Sequence, residues 1–97
     1  MDRKRLSKFE IDTLLEKLNG WAVKGICLEK RFSFGDFAEA LRFVNAVGEI
    51  AETLDHHPDI TFGWGYAAIS TTTHDREGIT DFDFALAERI EAAFASG

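Results

Sequence analysis

The 97-residue chain holds a single cysteine, a single proline and no apolar run approaching a membrane span. Lone Cys27 excludes an internal disulfide and any cysteine-rich zinc site, and it fits a reducing, cytoplasmic setting. A membrane helix needs about 20 consecutive apolar residues, and no signal-peptide core follows the charged start. No Pro/Ser-rich linker, solenoid-period repeat or low-complexity tract divides the chain. Basic charge is scarce as well: 11 Lys+Arg against 17 Asp+Glu give a net charge of −6 with histidines neutral. Binding to a nucleic-acid backbone needs a field of Lys and Arg, so no direct nucleic-acid partner is expected. The basic cluster Arg3, Lys4, Arg5 and Lys8 lies at the N-terminus, where residues 1–6 read as a solvated, flexible leader.

What is present is globular: 45% hydrophobic and 29% charged residues. A chain of this length forms one domain and buries roughly 60–65% of the surface that its unfolded form exposes. Ser7 and Glu10 have capping-box spacing ahead of Ile11, Leu14, Leu15 and Leu18, which predicts a helix ending at Asn19-Gly20. Trp21–Lys24 and the alternating run to Phe34 predict two short strands turning at Gly25. Asp36 caps a second helix striped by Phe37, Leu41, Val44, Val47, Ala51 and Leu54, which must stop before Pro58. Ile60, Phe62 and Trp64, then the β-branched run from Ala67 to His74, predict a second hairpin with Gly65-Tyr66 as its loop. After a polar turn at 75–78, Thr80 and Asp83 repeat the capping spacing before a last helix. The order α-β-β-α-β-β-α implies a single α+β domain, with helices packed on one face of a four-stranded antiparallel sheet.

Chemistry concentrates in one place. His56, His57 and His74 fall within 19 positions, beside Asp55, Pro58, Trp64 and Asp83. A hairpin puts the start of one strand beside the end of the other, so the three imidazoles converge at one end of the sheet. Three readings stand at this point: polar loop residues capping the second helix, a metal site, or general acid–base catalysis. Neighbouring histidines in an extended segment point apart, and no His-Glu-x-x-His helix is present, so no metal is expected. Imidazole, which titrates near neutral pH, suits acid–base work. Cys27 lies mid-strand as a packing residue, and no serine nucleophile presents itself.

The run Glu52-Thr-Leu-Asp55-His56-His57-Pro58, followed at fixed gaps by Trp64, His74 and Asp83, resembles the signature of the pterin-4a-carbinolamine dehydratases. Gly20-Trp21, the Phe32-x-Phe-x-x-Phe37 stretch and the Thr72-Thr73-His74-Asp75 turn extend the resemblance over nearly the whole chain. That turn more often reads Ser-Thr-His-Glu in the family, and the Gly25 hairpin is shorter than in animal members. The resemblance implies dehydration of a 4a-hydroxytetrahydropterin to quinonoid dihydropterin, which recycles a tetrahydrobiopterin-type cofactor. By the same resemblance His56 and His74 are the acid–base pair, and His57 orients the pterin with Pro58. Asp55, Thr72, Thr73 and Asp75 become candidates to bind the pterin or fix imidazole tautomers, and Trp21 a candidate pocket wall. Glu52 would bond near His56, Trp64 would pack, and Asp83 would cap the last helix. The pterin is the substrate, and no cofactor is implied.

Nine phenylalanines exceed what one covered sheet face can hold. Phe43 and Phe84 fall off the helical stripes and, with Phe37, Phe82 and Phe94, suggest a subunit interface, hence a homodimer or homotetramer. The alternative functions are a non-catalytic binding or assembly module, like the dimerisation cofactors among the animal relatives, and action on another reduced pterin.

Overall fold

A computed structural model describes residues 4–97. The order is α1 (Lys8–Leu15), β1 (Ala22–Lys24), β2 (Cys27–Ser33), α2 (Phe37–Leu54), β3 (Asp59–Gly63), β4 (Tyr66–Thr71), a 3-10 turn (His74–Arg76) and α3 (Asp81–Ser96). The strands form one antiparallel sheet in the order β1-β2-β4-β3. The expected α+β architecture is the observed one.

Strand parity builds the core. Register pairs Leu28 with Thr71 and Phe32 with Ala67 across β2 and β4, and Ile60 with Ile69 across β3 and β4. These residues share the face that α2 and α3 cover, while Glu29, Arg31, Ala68, Ser70 and Thr61 share the other. On that solvated face Ser70 Oγ donates to Glu29 Oε2 at 3.0 Å, and the Arg31 guanidinium lies 4.1 Å from the Tyr66 ring centroid. Lys30 has inward parity but is not wasted: its ammonium meets the Glu91 carboxylate and donates to Asn19 O.

Helix α2 buries Ala40, Phe43, Val47 and Ala51, with Val44 and Leu54 packed against the core, so most of the expected stripe faces inward, whereas Phe37 and Leu41 are exposed and Ala40 and Phe43 take their place. Phe43 and Phe84 are therefore core residues, not interface candidates. Phe43 stacks on Phe32, with centroids 4.7 Å apart, and on Phe34 at 5.1 Å. Such ring pairs add roughly 0.5–1.5 kcal/mol each beyond their buried area. Phe94, half-exposed at the end of α3, closes the same cluster against Phe32 at 5.0 Å.

Three boundaries differ from expectation. Helix α1 ends at Leu15, and tight turns carry the chain to Leu18, whose buried side chain sets the exit. Strand β4 ends at Thr71, three residues before His74, because Thr73 instead pairs with Gly78 around the 3-10 turn. The second hairpin turns on Trp64-Gly65, one residue earlier than expected, since Gly65 takes the left-handed φ of 83° that the turn requires. Trp64 is consequently 72% exposed, and the packing expected of it is not met among the described residues. Of the expected leader, residues 1–3 lie outside the described residues, and Leu6 is pinned by its N–H on Ile79 O at 2.8 Å. Among the described residues no helix is long and apolar enough to cross a membrane.

The capping boxes form as the spacing predicts. Ser7 N–H donates to Glu10 Oε1 at 2.9 Å, and Glu10 N–H donates to Ser7 Oγ at 3.1 Å. The backbone bond first, then the side-chain bond with Ser7, holds the Glu10 carboxyl below its ordinary value. A lowered folded value stabilises above the ordinary carboxylate range, and that increment is lost as pH falls through the folded value. The melting-temperature gap between wild type and Glu10→Ala is therefore expected to be open at pH 7 and to close in acid; thermal melts across pH check it.

Candidate functional site

Helix α2 ends where Asp55 adopts a left-handed φ of 51°, its N–H capping the last carbonyls, and Pro58 keeps the next residues extended. The chain reverses there, and the two histidines diverge. His56 turns inward and is 6% exposed, its ring 5.7 Å from that of Phe82. His57 turns outward, and its Nε2 meets the Glu52 carboxylate. Glu52 thus serves His57 and not His56, because His56 has a buried partner.

That partner is Asp83, which is 0% exposed. His56 Nε2 lies 2.6 Å from Asp83 Oδ1. Thr71 Oγ1 donates to the same oxygen at 2.6 Å. The other oxygen, Oδ2, accepts from Thr73 Oγ1 at 2.9 Å and from the Thr80 backbone N–H at 2.9 Å. Sheet parity explains the convergence, since Thr71 and Thr73, two residues apart, both face the start of α3. Donor direction follows from the inventory of protons. The Thr73 hydroxyl spends its hydrogen on Asp83, so the Thr80 hydroxyl, 2.8 Å away, donates to Thr73 Oγ1 while accepting the Phe82 N–H at 3.2 Å. Asp83 is the helix cap that its spacing predicts, and it is also the anchor of His56. Burying a carboxylate is costly unless it is fully hydrogen-bonded; here four donors meet it.

The remaining candidates sort by position. The pairing of Asp59 with Ser70 puts the start of β3 and the end of β4 at one end of the sheet, so His56, His57, Pro58 and the 72–75 turn gather there. His74 opens the 3-10 turn, exposed, with no side-chain hydrogen bond or ion pair among the described residues. Asp55 and Asp75 are exposed at the same end, and Pro58 is half-buried. Thr72 is buried, its hydroxyl donating to Ile26 O, and Thr73 is committed to Asp83, so both hold the protein together first. Trp21 is not a wall of this site. It is a core residue stacked edge-on against Phe32, and its indole N–H donates at 2.8 Å to Glu91, eight residues and about 12 Å along α3 from Asp83.

A concavity of about 600 Å³ between the start of α2 and the end of α3, lined by Phe34, Arg42, Phe43 and Phe94, lies at the other end of α2 from the histidines. A second, of about 520 Å³, lies on the solvated sheet face. Neither of these two is lined by a histidine. Among the described residues no three His, Cys, Asp or Glu side chains gather to hold a metal ion. Sequence reasoning missed Thr71 as a site residue; its inward parity, two positions before Thr73, was the available signal.

Comparison with known proteins places these residues in context. Residues 4–93 match the family described as pterin 4 alpha carbinolamine dehydratase. A provisionally named pterin-4-alpha-carbinolamine dehydratase of Sulfurisphaera tokodaii is 44% identical over 88 residues, covering 91% of this chain and 95% of its own. A crystal structure described as a transcriptional coactivator/pterin dehydratase from Brucella melitensis superposes with a TM-score of 0.88 at 32% identity, over 93% of this chain and 98% of that one. A pterin dehydratase-like protein identified as a RuBisCO assembly factor in the alpha-carboxysome superposes at 0.63 with 30% identity, over 75% of this chain and 84% of that one.

Proposed function

Because the chain belongs to the pterin-4a-carbinolamine dehydratase family, we propose that it dehydrates a 4a-hydroxytetrahydropterin to the quinonoid dihydropterin. The observation that carries this reading is the carboxylate-backed, buried His56 at the same sheet end as exposed His74. The reaction needs two proton movements. One proton reaches the C4a hydroxyl, the C4a–O bond breaks and water leaves. The other departs from N5, and the pair that bound it becomes the C4a–N5 double bond. Two imidazoles in different protonation states accomplish both, with the pterin as substrate and no cofactor. His56 and His74 are the proposed pair, and His57, steadied by Glu52, orients the ring beside Pro58. Each assisted transfer contributes a factor of roughly 10²–10⁴.

Freshly generated 4a-hydroxytetrahydropterin, followed by the ultraviolet change to quinonoid dihydropterin, tests the reading. The wild-type protein is expected to accelerate this change clearly above the uncatalysed background. A folded protein that leaves the background rate unchanged would end the dehydratase reading for this substrate.

A binding role is the second reading, favoured by the apolar side chains of Phe37, Leu41 and Trp64, which are 45%, 40% and 72% exposed. A second copy of the chain covering them gives the expected homo-oligomer, and a different protein covering them gives an assembly module.

A further inference from the structure

The two ring nitrogens of His56 are not equivalent. Nε2 is engaged with Asp83. Among the described residues Nδ1 has no hydrogen-bond partner, yet no buried side-chain nitrogen or oxygen there lacks one. Nδ1 therefore reaches the surface, although the residue as a whole is 6% exposed. The Asp83 end of the bond is equally determined. The Thr80 N–H on Oδ2 is a backbone donor that cannot reverse, and the hydroxyl chain from Thr80 through Thr73 ends on that same oxygen. Oδ1 is left for Thr71 and His56. A carboxylate only accepts, so the neutral imidazole must carry its proton on Nε2.

We propose that Nδ1 is the nitrogen through which His56 exchanges protons with a bound pterin, and that Asp83, oriented by Thr71, Thr73 and the Thr80 amide, is the positioning residue that assigns it. The proposal rests on the dehydratase reading above. A proton arriving at Nδ1 creates an imidazolium whose Nε2–H stays on Asp83; a proton leaving restores the neutral ring. Asp83 does not exchange a proton with the substrate at any point. Its work is to hold one tautomer and one ring orientation, so that the lone pair at the surface is already in place when the pterin arrives.

Ring ¹⁵N spectroscopy of the histidine-labelled protein, with no substrate present, tests the assignment directly. At a pH where the ring is neutral, wild-type His56 is expected to show a protonated Nε2 and a bare Nδ1. Asp83→Asn is expected to invert this. The fixed Thr80 N–H holds the asparagine carbonyl at the Oδ2 position, and the amide N–H then faces Nε2, which must accept. The proton moves to Nδ1, while the rotatable Thr71 hydroxyl adapts. Dehydratase kcat is expected to fall at least about tenfold with KM within about threefold, and a melting curve shows that the fold persists. A wild-type ring protonated on Nδ1 would overturn the proposal, and so would an Asp83→Asn variant with the wild-type tautomer and wild-type kcat. If that variant does not fold, the wild-type spectrum decides alone. A wild type that shows Nε2–H but has no activity on the pterin overturns the dehydratase reading, and the tautomer assignment keeps its own readout.

Discussion

Exchanging His56 for glutamine is expected to lower dehydratase turnover by roughly 10²–10⁴-fold while the protein still folds. Glutamine is chosen because its amide nitrogen sits about where imidazole Nε2 does, so donation to the buried Asp83 oxygen survives. What is lost is the imidazole, the group proposed to exchange protons with the substrate. An alanine at this position confounds the two effects, since it also strips a donor from a fully buried carboxylate. His74→Gln is expected to reduce turnover comparably with no change in melting temperature, because that side chain is exposed and makes no bond within the described residues. Background-corrected rates of quinonoid formation measure both. Near-wild-type turnover in either variant would remove that residue from the acid–base pair.

Replacing Asp83 by alanine is expected to destabilise the fold by about 3–5 kcal/mol. Its carboxylate receives Thr71, Thr73, the Thr80 N–H and His56. Truncation leaves these donors unmet, three of them on threonines at most 1% exposed, and each unmet buried donor costs about 1–3 kcal/mol. Only part of this is recovered by Thr73 and Thr80 pairing with each other. The first turn of α3 loses its capping box as well, worth about 1 kcal/mol. For a domain of this size the melting temperature is expected to drop by at least about 12 °C. Calorimetry of the two proteins decides, and a drop of only a few degrees would mean that the network is dispensable for folding.

Much of this fold is legible in the sequence because its signals are local. The Ser7–Glu10, Asp36–Glu39 and Thr80–Asp83 pairs each mark a helix start, and each bond forms. The arrest of α2 ahead of Pro58 is steric, and it foretells the split between His56 and His57. Periodicity does not disclose which of two neighbouring helical stripes faces inward. On α2 Val47 and Ala51 are buried as expected, but towards the N-terminal end the covered residues are Ala40 and Phe43 rather than Phe37 and Leu41. Trp64 continues the alternation of Ile60 and Phe62, and only the left-handed Gly65 moves it from strand to turn. The bond between His56 and Asp83 spans 27 positions. A capping motif predicts one oxygen of Asp83 well and says nothing of the other.

The double duty of Asp83 alters what its presence means in any related chain. Selection for folding alone suffices to retain it, along with Thr71 and Thr73, in a relative that does not carry out the proposed catalysis. His74 is under no such protection, being surface-borne and without a side-chain bond among the described residues. Genetic drift after loss of the reaction should erase His74 first and the threonine-aspartate cluster last, so the exposed histidine is the more informative fossil of the two.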